Sequence, residues 1–82
     1  MAVSQNQIRQ WVERGIEMGA THVIIVVDTF DHEDYPVYVK QNETVQARVY
    51  YYQHASMQDV MEVYNLSMDI EKQLNEYRAW HL

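Results

Sequence analysis

Five consecutive β-branched residues, "VIIVV" from Val23 to Val27, constrain this chain more than any other stretch. Two heavy atoms on Cβ restrict a side chain in a helix and suit a pleated surface, so "HVIIVVD" reads as a strand. Successive side chains of a strand point to opposite faces, and here both faces are apolar. Such a strand belongs in the centre of a sheet covered on both sides. With 82 residues, the expectation is one domain over residues 1–82 built around it.

The flanking segments supply the cover. Ser4 caps a helix through "QNQIRQWVERGIEM", with Ile8, Trp11, Val12, Ile16 and Met18 as its apolar face and Gly19 as its left-handed stop. Gly15 interrupts that helix at a cost of about 1 kcal/mol against Ala, which points to close packing there. "YPVYVK" alternates and contains Pro36. Proline cannot donate to a ladder, so this strand is expected at a sheet edge, joined to the first as a hairpin through the loop "TFDHED". Asn42 or Thr44 caps a helix with Val45, Val49 and Tyr52 at i, i+4 and i+7, although "VQARVYYY" also has strand propensity. Val60 to Tyr64 reads as a third strand. Ser67 then caps a last helix with Asp69 and Glu71 in its first turn and Ile70, Leu74 and Tyr77 inside.

The expected fold is α+β, in the order α-β-β-α-β-α, with a three-stranded antiparallel sheet ordered 2-1-3. The crossover from strand two to strand three should be right-handed. Either the helices divide between the two faces or a second copy covers a bare face. The second arrangement is preferred here, which makes the expected state a homodimer or higher homo-oligomer.

Charge excludes one class of partner. Twelve Asp and Glu against six Lys and Arg give a net charge of −6. Sequence-independent duplex binding works by clustered cations on phosphates, and the six here are scattered from Arg9 to Arg78. No duplex nucleic acid is expected as partner. The chain has no cysteine, hence no disulfide framework or thiolate site. Its longest apolar run is too short to span a bilayer, so the chain reads as soluble, with no membrane partner, in a reducing cytoplasm.

"DTFDHEDYP", from Asp28 to Pro36, is the densest cluster of functional groups. It lacks the spacing, glycine and terminal glutamate of a calcium loop, and no paired-histidine zinc pattern exists in the chain. No glycine-rich phosphate loop or nucleophile with a base partner is present. No catalytic residue, metal ligand or cofactor is therefore assigned. A hairpin loop with an exposed binding face remains: Asp28 caps the turn, Phe30 folds back on the sheet as an apolar anchor, and Tyr35 and Pro36 start the edge strand. Asp31, Glu33 and Asp34 form an acidic rim. Tyr50 and Tyr51 lie off the apolar stripe of their helix and offer contact area at low entropy cost. With Arg48 for a phosphate or carboxylate, the candidate ligand- or partner-binding set is Asp28, Thr29, Phe30, Asp31, Asp34, Tyr35, Arg48, Tyr50 and Tyr51.

"WVERGIEMGATHVIIVVDTFDHEDYPVYV" and "MQDVMEVYNLSMDIEKQLNEYRAWHL" together resemble a family of small proteins from tailed bacteriophages and their hosts. The block from Asp28 to Tyr38 is the most specific part, and the middle of the chain departs from the pattern. That family carries no assigned chemistry, so the resemblance transfers no catalytic residue. It implies an accessory phage protein in the cytoplasm of a bacterial host cell, of a class that often antagonises antiviral defence. Two forms of antagonism fit the residues: sequestering a nucleotide messenger on stacked aromatics, or occupying a host defence protein. A structural or regulatory phage protein without a defence role is the alternative. A metal-dependent hydrolase built on the carboxylate loop is a third.

Overall fold

A computed structural model describes residues 3–82. The element order is α1 (Gln5–Glu17), β1 (His22–Asp28), β2 (Glu33–Val39), α2 (Val45–His54), β3 (Gln58–Asn65) and α3 (Ile70–Leu74). The fold is α+β as expected, and the sheet order is β2-β1-β3 with both pairings antiparallel.

β1 is buried on both faces. Val23, Ile24, Ile25 and Val26 are all sealed from solvent. Ile24 and Val26 join Val37, Val39, Val60 and Val63 beneath Val45 and Val49 of α2. Val23 and Ile25 join Tyr64 beneath Ile8 and Val12 of α1 and Leu74 of α3. Burying each such side chain is worth about 1.5–3 kcal/mol. The helices therefore divide between the faces, and the bare face from which a second copy was argued does not exist. α2 forms despite its strand propensity because its stripe of Val45, Val49 and half-buried Tyr52 meets the sheet.

α1 begins as read, with the Ser4 hydroxyl accepting from the Gln7 amide at 3.1 Å. Its apolar face is narrower than expected: Ile16 and Met18 are half exposed, because the helix ends at Glu17 and Gly19 turns the chain with φ +75°. Gly15 is a contact point. A Cβ there would stand 2.8 Å from Val23 Cγ2, 3.1 Å from Leu66 Cδ1 and 3.2 Å from Tyr38 Cδ1.

β3 is longer than Val60–Tyr64 and contains an irregularity. Ile25 pairs with Glu62 but Val26 pairs with Val60, so Met61 is an extra residue. This bulge lets Val60 and Val63, three positions apart, share one face. Arg78 covers it, donating from Nε to the Met61 carbonyl at 2.8 Å and from an Nη to the Val60 carbonyl at 3.1 Å. The same guanidinium lies 5.0 Å from the Trp80 ring centre. Val63 then bonds the tail on its outer side, through its amide to the Ala79 carbonyl and its carbonyl to the His81 amide.

The last helix differs most from expectation. Asp69, not Ser67, is its cap, accepting from the Lys72 amide at 3.1 Å, while Ser67 bonds the Asn65 side chain. The helix ends at Leu74, where Asn75 donates to the Glu71 carbonyl and Gln5 to the Leu74 carbonyl. Tyr77 consequently lies beyond it and is fully exposed rather than internal. Buried Gln73 is fully used: it accepts from the Asn65 amide and donates to the Asn65 and Asp69 carbonyls. An Arg9–Glu71 fork ties α3 to α1 on the surface, raising the guanidinium pKa and lowering that of the carboxyl through their mutual hydrogen bond.

Three outcomes follow from this packing. Gly15→Ala gains about 1 kcal/mol of helix propensity but overpacks by about 1–3, so urea unfolding should show lower stability; a stabilised variant would mean Val23 can yield. Gln73→Ala should cost about 2–4 kcal/mol, because the Asn65 amide and carbonyl lose their buried partners. The third concerns His22, whose pKa burial lowers from 6.5. Its imidazole Nδ1 lies 2.9 Å from the Thr21 hydroxyl, and Nε2 is buried without a partner. Because the unfolded chain binds the proton more tightly, stability is complete above pH 6.5 and drains as pH falls through it. Denaturant midpoints between pH 7.5 and 5.5 should fall less in His22→Phe than in the parent.

Candidate functional site

The hairpin turn is shorter than the loop read from sequence. Only Thr29 to His32 connect the strands, because Glu33 and Asp34 pair with Asp28 and Val27 as part of β2. Tyr35 and Pro36 are therefore inside the strand, opposite Val26 and Ile25, and not at its start. β2 remains the edge strand expected from Pro36.

Asp28 organises the turn as its spacing implied. One carboxylate oxygen accepts from the Phe30 amide at 2.9 Å and the Asp31 amide at 3.2 Å, and the Asp28 carbonyl accepts from the His32 amide at 2.7 Å. His32 closes the turn at φ +60°. The Thr29 amide donates across to the Met57 carbonyl at 2.9 Å, and Met57 is itself left-handed at φ +61°. This bond joins the hairpin turn to the turn between α2 and β3. It also removes the need for an apolar anchor, so Phe30 does not fold back: it is 72% exposed, beside Met57 at 59%.

α2 brings further aromatics to this end. Tyr51 is 63% exposed and makes an edge contact with Tyr52, ring centres 4.9 Å apart. Tyr35 donates its hydroxyl to the Gln58 side chain at 2.7 Å. Its phenol is pushed up in pKa by burial first and then by Tyr52, Asp28 and Tyr51 nearby. Tyr50 is exposed and stacks on His54 at 3.9 Å. His54 is in the last turn of α2, not in the turn beyond it, and its Nδ1 lies 2.9 Å from the Tyr50 carbonyl.

The structure thus gathers Asp28, Thr29, Phe30, Asp31, Tyr35 and Tyr51 at one end of the molecule. Asp34 separates from the rim: it is half-buried, and its carboxylate accepts from the Val3 amide at 3.3 Å. Arg48 is engaged, donating to Glu43 at 2.7 Å with its guanidinium 5.9 Å from the Tyr52 ring centre. Thr44 caps α2 by position but makes no side-chain cap bond; Glu43 instead accepts from the Lys40 amide, the main reason its pKa falls. Met57 and Gln58 belong to the site and were missed. Their place depends on a pairing with residues about thirty positions away, which no local pattern carries.

Asp28 and Glu33 face each other across the strands with Gln58 on the far side of Asp28. Like charges placed directly opposite destabilise a sheet. With Asp31 exposed beside them, they place negative charge at the end of the molecule that also carries exposed Phe30, Met57 and Tyr51. Among the described residues, no three His, Asp or Glu side chains form a group that could hold a metal ion, and no helix is long and apolar enough to cross a membrane. The arrangement offers contact area and charge. No protein-family model matches the chain, and neither does any curated protein or solved structure.

Proposed function

We propose that this chain is a non-catalytic binding protein whose hairpin end occupies a basic surface of a host protein. In the setting implied by the phage-family resemblance, that host protein belongs to an antiviral defence. The observation that carries the reading is the Thr29–Met57 bond, which joins the turns carrying exposed Phe30 and Met57 at the end where Asp28, Asp31, Glu33 and exposed Tyr51 also lie. Aromatic and methionine side chains with an acidic margin are the make-up of an interface core and rim. Left-handed non-glycine residues in both turns and the Asp28–Glu33 opposition are features that cost stability. Their concentration at one end fits a surface kept for recognition.

The protein-blocking form is favoured over nucleotide sequestration by the state of the cations. Arg48 is bonded to Glu43, and Arg78 is turned onto β3 carbonyls. A phosphate at the aromatic end would meet carboxylates instead.

The two forms separate by experiment. Phe30→Ala with Tyr51→Ala removes exposed side chains, so the melting temperature should hold while protection of phage in hosts carrying antiviral defences is lost. Truncating a central interface anchor costs about 2 kcal/mol or more of binding. Glu33→Thr should raise stability by about 0.2–1 kcal/mol by relieving the opposed charges, yet weaken protection and its salt dependence. Full protection by the double variant contradicts the proposal. A thermal shift with a nucleotide, abolished in the same variant, would restore the sequestration reading.

A further inference from the structure

On the face covered by α1 and α3, surrounding side chains leave a recess above the buried sheet residues. A cleft of about 630 Å3 lies there, within the size range of pockets that enclose a small ligand or a side chain. Ile8, Ile25 and Leu74 form its floor, each almost wholly buried, and Val3, Met61 and Tyr77 give it accessible apolar surface. Carboxylates line it too: Asp34 from β2, Asp59 and Glu62 from β3 on either side of the bulge, and Glu76 after α3.

The charges there are unbalanced. Among the described residues the ion pairs of Arg and Lys are Arg9–Glu71 and Arg48–Glu43, and His81 Nε2 lies 2.6 Å from the Glu76 carboxylate. Asp34, Asp59 and Glu62 meet neutral donors instead. Asp34 accepts from the Val3 amide, Asp59 from the Val60 amide, and Glu62 from the Tyr64 hydroxyl and the Ala79 amide. Arg78 also lines the cleft and bonds the Val60 and Met61 carbonyls; its single positive charge is outnumbered by the carboxylates of Asp34, Asp59, Glu62 and Glu76. A carboxylate offers about four lone-pair sites, so acceptor capacity and negative charge remain above an apolar floor.

We propose that this cleft takes an arginine side chain of the partner protein. Its aliphatic stem would lie against Met61 and Tyr77, the exposed apolar side chains of the lining, while its guanidinium reaches Asp59, Glu62 and Asp34. A planar fork of five donors suits carboxylates spread over two strands better than a point-like ammonium, and it loses less on leaving water. The inference rests on the reading of a basic partner. Asp34 and Asp59 both pair with Val27, one residue along their strands from Glu33 and Gln58, so the cleft lies on one face of the sheet and Asp28 and Glu33 on the other, with carboxylates at the same end of both faces.

The test is a two-dimensional NMR titration of the whole chain with N-acetyl-arginine amide, and with its citrulline counterpart as the uncharged probe. Saturable shifts at the Ile25 and Leu74 methyls and the Glu62 amide are expected with arginine. Citrulline should bind at least about tenfold more weakly, and Asp59→Asn should weaken arginine by a similar factor. Glu62→Gln, which keeps an acceptor for Tyr64, should weaken it as well. Equal affinity for citrulline, or shifts that spread over the surface without saturating, would overturn the proposal. If arginine fills the cleft while Phe30→Ala/Tyr51→Ala still protects phage, the hairpin-end reading fails and this inference stands. Lost protection with no cleft shifts would do the reverse.

Discussion

The burial of β1 on both faces is the constraint on which the rest of the structure depends. Val23 and Ile25 need cover on one side, Ile24 and Val26 on the other. A chain of 82 residues can meet both needs only by sending its helices to opposite faces. α2 takes one face as the crossover between β2 and β3, and α1 with the short α3 takes the other. Gly15 is part of the same solution, because it lets α1 approach Val23 to a distance no other residue permits.

The β3 bulge extends that solution to the second neighbour of β1. Without the extra residue at Met61, Val60 and Val63 would face opposite ways and the α2-side core would lose one of them. The bulge frees two carbonyls, and Arg78 takes both. The tail that carries Arg78 then runs on to bond Val63 at the outer edge of β3. One sheet edge is thus covered by the chain itself, while the other is blunted by Pro36. Arg78 is held over the bulge without an ion pair to the cleft carboxylates, which outnumber it.

The central strand, the sheet order, the α2 helix and the close approach at Gly15 were legible because each leaves a local mark: a β-branched run, a proline, a 3.6-residue stripe, a misplaced glycine. The misreadings share a different cause. Phe30 was expected to anchor the turn, but the Asp28 carboxylate and the Met57 carbonyl satisfy the turn amides without it. Tyr77 continued the apolar stripe of α3 on paper, yet side chains from Gln5 and Asn75 end that helix at Leu74. Glu33 and Asp34 looked like loop residues by composition and are strand residues by pairing. In each case a contact between distant segments decided the outcome. The bulge at Met61 was not read from the sequence, because in a sheet covered on both faces two apolar residues three apart can simply point to opposite sides.

The core residues of both faces are buried within one chain, and the exposed apolar side chains of the hairpin end lie outside that core. That division stands or falls with the two-sided burial of β1. Ile24→Ala and Ile25→Ala, adjacent residues aimed at opposite faces, compared by equilibrium unfolding at low protein concentration, test it most directly. The account predicts that each costs about 2–5 kcal/mol, since each leaves a cavity in a closed core. A loss below about 1 kcal/mol for either one, the level of an exposed position, would show that its face is open and contradict the account.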